Sequence, residues 1–325
     1  MSADPEERAA VESTARDIAE RHRDAANDSA ARTRMWADYA AAGLVATGGL
    51  GDAGDDWFEY ACAVVRGAYR GQVSIPLVDT ALARLIFGSR LPAEAAGAAI
   101  VFADPPAAVP WADSVRFAVI RGPADDSWIL APAAACAARV RVDPWGQPVA
   151  DLQVSGVTPA AECCVPAELV LSYARIAVAA AMAGTMTAMV DRTVRYAKER
   201  EQFGRPLWAF QAIKHQIVVA AELAKVAERA SIVTADVSRS AVPPLTALLV
   251  KSAAGTAATT VAQVAHHVHG ALGMTDEYAL SHLTRQLFWL RDRFGSEHEC
   301  LQSLGAGLAA ADRAGTDLWE SITTL

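Results

Sequence analysis

The side chains best suited to chemistry lie where one helical pattern stops and another starts. In residues 200–215 a Gly and a Pro interrupt the helical period, and apolar residues from Phe210 onward restart it. Arg200 offers a planar cation that pairs with anions in a forked geometry, and the amides of Gln202 and Gln211 can donate hydrogen bonds. The spacing predicts a rigid corner between two antiparallel helices with polar groups held on it.

This corner resembles part of the C-terminal helical domain of the acyl-CoA dehydrogenase family. The shared pattern is an Arg three residues before Phe-Gly, followed by Pro and by Phe-Gln-x-Ile-x-His. The resemblance implies that the corner holds the pyrophosphate and adenosine end of an FAD bound mainly by the neighbouring subunit. It assigns cofactor contacts to Arg200, Gln202, Phe203, Phe210 and Gln211. The alternative is an ordinary helix hairpin whose Arg200 is a solvated surface charge.

A second segment resembles the same family. Residues 267–278 are similar to its Gln-x-x-Gly-Gly-x-Gly-x-Thr-x-Glu segment, which contributes backbone contacts to the same flavin. Here His267 replaces the Gln and Ala271 replaces the second Gly. A His side chain can still donate to a phosphate, whereas the Cβ of Ala271 narrows the approach to the backbone. The resemblance adds His267, Gly270, Ala271 and Ser296 to the cofactor contacts.

The position of the catalytic base is the main departure from the family. In the family a carboxylate removes the α-proton of an acyl-CoA while the β-hydride passes to FAD, so the base must reach that carbon. Counting from Glu277 along one class of the family places the base at Phe294. A second class places it one residue before an Arg, which here is Ala174 before Arg175. The side chains of Phe294 and Ala174 cannot accept a proton. The resemblance implies a role in substrate binding for Arg175.

The missing base leaves three interpretations open. The first is the non-catalytic subunit of an actinobacterial α2β2 heterotetrameric acyl-CoA dehydrogenase acting on sterol-derived CoA thioesters. Its implied partners are a homologous catalytic subunit and an electron-transfer flavoprotein. The second is a self-sufficient homo-oligomeric enzyme with Glu297 or Glu299 as an atypical base. The third is a flavin-free structural or binding homologue. Flavin absorbance distinguishes the three. The first predicts a yellow protein only when the partner is present, the second a protein that is yellow alone, and the third a protein that is never yellow.

The middle of the chain lacks the family's contacts to the flavin ring. Flavin-bearing members resemble one another in a Thr-x-Pro-x-x-Gly-Ser-Asp loop, and residues 102–110 at the equivalent place offer no hydroxyl. Trp128 belongs to a Trp-Ile-Leu run where many members have Trp-Ile-Thr, and its simplest role is that of a core aromatic. We therefore expect the chain alone to bind FAD weakly or not at all.

The scaffold for these residues is predicted to be α+β and mainly α, in three parts. Helical periodicity predicts an N-terminal helical domain over residues 1–98. Short β-like runs separated by Pro, Gly and Asp predict a small barrel or sandwich over residues 99–166. Residues 167–325 are helical in pattern, and the resemblance, specific from about residue 168 to 302, implies a four-helix bundle there. The β-like runs are residues 99–102, 115–120, 128–130 and 138–142.

Composition argues against several function classes. The 325 residues are 53% hydrophobic, enough for large apolar cores, and the net charge of −8 comes from interspersed charges without a basic stripe for nucleic acid. The five cysteines show no CxxC spacing and predict reduced thiols in the cytoplasm. Residues 1–28 lack the apolar segment of a signal peptide.

Three further patterns are assigned no function. Residues 252–275 are uncharged, yet their His, Thr and Gly content fits a buried helix better than a membrane span. The three histidines near the end of this run lack a carboxylate or Cys at ligand spacing, so no metal site is expected. Residues 49–54 match G-x-G-x-x-G but follow no strand, which predicts a loop.

Overall fold

The computed structural model describes residues 4–23, 29–45, 56–103, 109–111, 114–143, 148–153, 155–237, 242–315 and 317. The predicted loop at residues 49–54 and the central part of the loop at residues 102–110 lie outside them. The N-terminal helices are α1 (Pro5–His22), α2 (Ser29–Ala41), α3 (Trp57–Arg70) and α4 (Leu77–Phe87). The strands that follow are β1 (Ile100–Phe102), β2 (Val109–Pro110), β3 (Phe117–Arg121), β4 (Ser127–Pro132), β5 (Ala137–Val142), β6 (Pro148–Gln153) and β7 (Ala161–Cys164). The C-terminal elements are α5 (Ala167–Glu199), β8 (Glu201–Gln202), β9 (Arg205–Pro206), α6 (Gln211–Val237), α7 (Pro244–His269), α8 (Ala279–Asp292) and α9 (Glu297–Arg313).

Helix α3 lies between α1 and α5, and glycines let the three backbones touch. A Cβ on Gly67 of α3 would lie 2.2 Å from the carbonyl oxygen of Glu12 on α1. A Cβ on Gly184 of α5 would lie 2.3 Å from the carbonyl oxygen of Arg66 on α3. Because no side chain fits at such distances, only glycine permits this packing. The buried Arg66 guanidinium in turn donates from Nε to Glu12 Oε2 at 2.8 Å, which compensates its desolvation.

The strands form two facing sheets, as in the predicted small sandwich. One sheet has the order β1-β3-β4-β7, in which only β1 and β3 are parallel, and the other has the order β2-β6-β5 and is antiparallel. Between them lies an apolar core of Val101, Ala103, Val109, Trp111, Ala118, Ile120, Ala131, Cys136, Ala150 and Leu152. The outer face of the first sheet joins the main helical core through Phe117, Val119 and Leu130. The middle region is therefore packed on both sides.

The C-terminal helices form the predicted bundle around α5. This 33-residue helix packs against α6, α7 and α8, while α9 lies on α7. By length and composition α5 and the run from residue 244 to 274 could each cross a membrane, but 83% and 61% of their most apolar windows are buried in the fold. A helix that is apolar on all sides is typical of a protein core. Their hydrophobicity is thus used in packing.

One apolar core connects all three predicted parts of the chain. It contains Trp36, Leu130 and Ile176 among its buried residues, one from each part. The chain changes from helix to strand between residues 95 and 100, and from strand to helix between residues 164 and 167. The domain boundaries at residues 98 and 166 stay a prediction.

Candidate functional site

The corner between α5 and α6 is a β-hairpin that the sequence did not predict. β8 pairs with β9 so that Gln202 faces Arg205, with Phe203 and Gly204 as a two-residue loop. Both loop residues have positive φ, 55° and 77°. This combination is that of a type I′ turn, whose twist matches the twist of paired strands. The predicted end of one helix and start of the next are confirmed, and the hairpin lies between the two helices.

The residues predicted to hold a cofactor lie on the surface of this corner. Phe203 is 90% exposed at the hairpin tip, an uncommon place for an aromatic ring. The Arg205 guanidinium lies 4.1 Å from the centroid of the half-buried Phe210 ring, in cation–π contact. The polar side chains predicted to contact a cofactor are exposed as well: Arg200, Gln202 and Gln211. An anionic ligand can therefore reach them.

The end of α7 lies beside this hairpin. Ala197 of α5, Ile217 of α6 and Val268 of α7 share one buried cluster, onto which the short helical turn after β9 packs. The ring of Tyr196, on the last turn of α5, stacks on His269 at 4.3 Å between centroids. The structure thus brings the two predicted cofactor segments to the same end of the bundle.

The turn after α7 is also open to solvent. Gly270 has a φ of 61° and begins a short 3-10 turn, and a Cβ at this position would meet no atom within 4 Å. Leu272 and Met274 on this turn are 43% and 71% exposed. The predicted contacts of this segment are exposed too: His267, Gly270 and Ala271.

The two other histidines of α7 form hydrogen bonds within the fold. His269 Nδ1 lies 2.8 Å from the Ala265 carbonyl oxygen, which can only accept, so Nδ1 carries the hydrogen. The Thr284 hydroxyl donates to Leu280, so His266 Nε2 carries the hydrogen in its 2.7 Å contact with Thr284 Oγ1. Burial lowers the pKa of both imidazoles. Among the described residues no group of three His, Cys, Asp or Glu is arranged to hold a metal ion.

The two positions predicted for a catalytic base lie near each other. Ala174 is fully buried on α5, and Phe294 forms the turn between α8 and α9. Arg175, the residue after Ala174, connects the two positions, because its Nε donates to the Phe294 carbonyl oxygen at 3.3 Å. Phe294 has a φ of 56° and Gly295 a φ of 107°. A non-glycine residue in the left-handed region costs of order 1–3 kcal/mol and persists only where its surroundings hold it.

Around Phe294, three places that the sequence flagged separately pack against one another. The Phe102 ring lies 5.6 Å from the Phe294 ring and 5.2 Å from the Trp128 ring, between centroids. Trp128 is fully buried and its Nε1 donates to the Val165 carbonyl oxygen at 2.8 Å. Its predicted role as a core aromatic is confirmed. The three rings therefore form one aromatic cluster.

A buried ion pair that the sequence analysis missed completes this aromatic cluster. Arg293 Nη1 donates to Asp79 Oδ2 at 2.8 Å and Nη2 donates to Oδ1, while the Phe102 backbone N–H donates to Oδ1 at 2.8 Å. Asp79 is wholly buried on α4. The Arg293 guanidinium carbon lies 5.5, 4.9 and 4.7 Å from the ring centroids of Trp111, Trp289 and Phe294. The sequence did contain one signal for this pair: a carboxylate inside the apolar run of α4 is expected to be buried, and a buried charge needs a partner.

A second missed residue is Lys251 of α7. It is 1% exposed, and its Nζ donates to the carbonyl oxygens of Arg291 at 2.5 Å and Gly295 at 3.1 Å. Burial lowers the pKa of this ammonium to about 8. Lys251 and Arg175 therefore hold the turn between α8 and α9 from two different helices.

The carboxylates considered as an atypical base are engaged at the start of α9. Ser296 is its N-cap: Ser296 Oγ accepts from the Glu299 backbone N–H, and Glu299 Oε2 accepts from the Ser296 backbone N–H at 2.8 Å. These contacts lower the pKa of Glu299. Glu297 Oε1 accepts from the Thr256 hydroxyl at 2.7 Å. A general base working near neutral pH needs its pKa raised, so Glu299 is shifted in the unfavourable direction.

Comparison with known proteins finds a family match over the C-terminal helices. The profile described as acyl-CoA dehydrogenase, C-terminal domain, matches residues 166–297. The acyl-CoA dehydrogenase FadE34 of Mycobacterium tuberculosis is 32% identical over 199 residues, 55% of this chain and 27% of that protein. The acyl-CoA dehydrogenase IpdE2 of the same organism is 33% identical over 148 residues, 46% of this chain and 42% of that protein. The chain thus spans less than half the length of these curated relatives.

Solved structures with the same fold cover nearly the whole chain. A variant of the Tcur3481-Tcur3483 steroid ACAD superposes with a TM-score of 0.79 at 22% identity, over 96% of this chain and 99% of that one. The ChsE4-ChsE5 complex of Mycobacterium tuberculosis gives 0.73 at 16% identity, over 92% and 97%. A glutaryl-CoA dehydrogenase from Mycobacterium smegmatis in complex with FADH2 gives 0.73 at 17%, over 95% of both chains. The likeness of fold therefore includes the middle region, where the sequence resembles the family least.

Proposed function

We propose that this chain, which belongs to the acyl-CoA dehydrogenase family by its C-terminal domain, is one subunit of an FAD-dependent acyl-CoA dehydrogenase. It lends part of a cofactor site to a homologous catalytic subunit in an α2β2 assembly. The observation that carries the proposal is a contrast within one chain. The corner residues are exposed and converge at one end of the bundle. In contrast Phe102, Trp128 and Phe294, at positions expected near the flavin ring or the base, pack their rings against one another.

The exposed corner fits the adenosine and pyrophosphate end of FAD. Arg200 pairs with the diphosphate, and the amides of Gln202 and Gln211 donate hydrogen bonds beside it. Phe203, Phe210 and the exposed 3-10 turn after α7 supply apolar and backbone surface. FAD, when bound, supplies the acceptor for the hydride that leaves a CoA thioester. The α-proton is taken by the catalytic subunit, because the residues at both base positions here are apolar.

The same relatives support a proposal for the substrate and for the electron acceptor. Since a steroid ACAD has this fold, we assign the assembly to sterol-derived CoA thioesters. Arg175 contributes to the substrate side through the turn that it holds. An electron-transfer flavoprotein reoxidises the flavin, and the assembly works in the cytoplasm.

Flavin stoichiometry tests the proposal directly. The chain is expressed alone and together with a homologous catalytic subunit, and the flavin absorbance per chain is measured after purification. We expect no stoichiometric flavin in the chain alone and one FAD per pair of subunits in the complex. A stoichiometric flavin spectrum from the chain alone would favour the self-sufficient enzyme. A complex that never binds flavin would favour a structural homologue.

The role of Arg200 is tested by substitution within the complex. Arg200→Ala removes a charge-assisted pair to phosphate that contributes about 1.5–3 kcal/mol, so flavin affinity falls by about 10- to 100-fold. Arg195→Ala is the matched control, because it removes another exposed cation from the same end of α5. Equal flavin retention in the two variants would show that Arg200 is an ordinary surface charge.

The absence of a base in this chain has its own test. Glu297→Gln and Glu299→Gln are expected to leave turnover of the complex within a few-fold of wild type. Removing the carboxylate base of the catalytic subunit is the positive control, and it costs at least about 100-fold. A comparable loss from either Gln variant would transfer the base to this chain.

A further inference from the structure

A closed ring of three hydrogen bonds ties the turn after α7 to the first part of α8. His282 Nε2 lies 2.9 Å from the Asp276 carbonyl oxygen, and Arg285 Nη1 donates to Asp276 Oδ1 at 2.7 Å. Arg285 Nη2 lies 2.9 Å from His282 Nδ1 and closes the ring. We call these three residues the Asp276 clasp. None of them has a role in the sites described above.

The contacts within the clasp fix the protonation of the His282 imidazole. A carbonyl oxygen can only accept a hydrogen bond, so Nε2 carries the hydrogen. A guanidinium can only donate, so Nδ1 has no hydrogen and accepts from Arg285. Both contacts form together only when the imidazole is neutral. A proton added at Nδ1 would remove a hydrogen bond and set two cations against each other.

The clasp lies on the surface of the bundle. The Asp276 side chain is 83% exposed and that of Arg285 is 30% exposed. Arg285 lowers the pKa of the Asp276 carboxyl, first by donating a hydrogen bond to it and then by its charge. Exposed pairs of this kind add little to the stability of a whole fold. The effect of the clasp is therefore local, on the segment that ends at Asp276.

That segment carries predicted cofactor contacts on a weakly held backbone. Gly270 and Ala271 begin the 3-10 turn, and Asp276 lies just beyond its end. The Thr275 N–H donates to the Leu272 carbonyl oxygen at 3.2 Å, and the Tyr278 N–H donates to the Thr275 carbonyl oxygen at 3.2 Å. Exposed turns with few buried contacts are among the first parts of a protein to open. Contacts outside the turn are needed to keep it in one conformation.

The two ends of the turn are held in different ways. At its start, His269 is 3% exposed and its ring stacks on the ring of Tyr196 from α5. At its end, Arg285 holds the side chain of Asp276 and His282 holds its carbonyl oxygen. Burial fixes the first end, whereas hydrogen bonds that a proton can break fix the second.

We propose that His282 and Arg285 are positioning residues for the cofactor and act through Asp276 on the turn after α7. They hold the backbone of this turn in place before FAD arrives, so that less ordering accompanies binding. Neither side chain touches the cofactor. The inference rests on the proposed flavin role of the turn, and it adds a dependence of flavin affinity on pH.

The sign of the pH dependence follows from the charges that face His282. Arg285 of α8 repels a proton on the imidazole, and Asp276 of the turn attracts it. Because Asp276 is already paired with Arg285, the repulsion and the lost hydrogen bond at Nδ1 decide the sign. The open turn therefore binds a proton that the clasped turn excludes, and flavin affinity falls on acidification.

Hydrogen exchange of the full chain tests the clasp without flavin. His282→Leu removes both contacts of the imidazole, and Arg285→Met removes the bridge. At one fixed pH, the amides of Thr275 and Tyr278 should exchange about three- to tenfold faster in each variant. His282→Gln should stay near wild type, because a carboxamide has a donor and an acceptor on one carbon, as the imidazole has across Cε1. His298→Leu, at an exposed histidine in the first turn of α9, is the matched control and should change neither amide.

Flavin titration of the complex with the catalytic subunit tests the link to the cofactor. At about pH 8, His282→Leu and Arg285→Met should weaken FAD binding about three- to tenfold, whereas His282→Gln should not. Wild type should lose the same factor between about pH 8 and pH 5.5, a range that spans the ordinary titration of histidine. His282→Gln should keep its affinity over that range, because an amide does not titrate. The other histidines are present in both proteins, so the difference between them reports His282.

Three outcomes would overturn the inference. The first is unchanged exchange of the Thr275 and Tyr278 amides in His282→Leu, which would show that the clasp does not hold the turn. The second is the same pH dependence of FAD affinity in wild type and His282→Gln. The third is faster exchange with no loss of FAD affinity, which would leave the clasp a structural contact. All three leave the proposed function standing, whereas a complex that never binds FAD would overturn both.

Discussion

Replacing Asp79 by Asn tests whether the buried ion pair holds the aromatic cluster together. The Asp79 side chain is wholly buried and that of Arg293 is 11% exposed. Removing one partner of a buried pair leaves an uncompensated charge and costs about 3–5 kcal/mol of unfolding free energy. Asn keeps an oxygen that can accept from the Phe102 backbone N–H, so the loss of unfolding free energy measures the effect of removing the negative charge. Asp79→Leu also removes that acceptor and should cost about 1–3 kcal/mol more.

Urea denaturation measures these losses, and thermal unfolding gives a second reading. An unfolding entropy of about 2.1 cal/mol/K per residue over 325 residues means that 1 kcal/mol shifts Tm by roughly 1.5 °C. Asp79→Asn should therefore lower Tm by roughly 5 °C or more. The control is Asp191→Asn, which breaks the exposed pair between Asp191 and Arg70 at 3.2 Å and should cost at most about 1 kcal/mol. Equal losses from the two Asn variants would refute the reasoning.

Three other contacts give predictions about stability. Burial puts the pKa of Lys251 at about 8 in the folded chain, against 10.5 as its ordinary value, so the unfolded chain binds more protons between these pH values. The unfolding free energy should rise with pH across that window, and Lys251→Met should remove the rise in urea titrations at pH 8 and pH 10. Gly184→Ala places a methyl group 2.3 Å from the Arg66 carbonyl oxygen and should cost about 1–3 kcal/mol in denaturation, whereas Gly305→Ala, which meets open space, should gain about 0.5–1 kcal/mol. Ser296→Ala removes the N-cap and should cost about 1 kcal/mol, while loss of flavin from the complex at unchanged stability would assign the hydroxyl to the cofactor.

Local patterns in the sequence predicted the elements of the fold well. The break before Phe210 and the apolar periods on either side placed the ends of α5 and α6, because helix stops depend on neighbouring residues. Alternating apolar runs located β1, β3, β4 and β5. The strands β2, β6 and β7 were missed: β2 has only two residues, and β6 and β7 contain Pro, Asp or Glu. These strands are stabilised by their partners across the sheets, which a local pattern does not contain.

The candidate site was predictable where it depends on spacing and not where it depends on long-range contacts. The two cofactor segments were predicted separately, and the stacking of Tyr196 on His269 now places them at one end of the bundle. The pairing of Asp79 with Arg293 joins residues 214 positions apart, so no window of sequence contains both. The N-cap at Ser296 was readable, because Ser followed three residues later by Glu is the signature of a capping box.

The long separation of Asp79 and Arg293 has a consequence for the synthesis of the chain on the ribosome. At about 5–20 residues per second, Arg293 is made roughly 10 to 40 s after Asp79. The Gln286 side chain, which donates to the Val73 carbonyl oxygen at 3.1 Å, arrives equally late. During that interval the first helices have neither the cation nor the amide that their buried polar groups bind in the fold, and the C-terminal bundle on which they pack is still incomplete. The buried Asp79 carboxylate therefore gains its partner only when the residue after α8 has been synthesised.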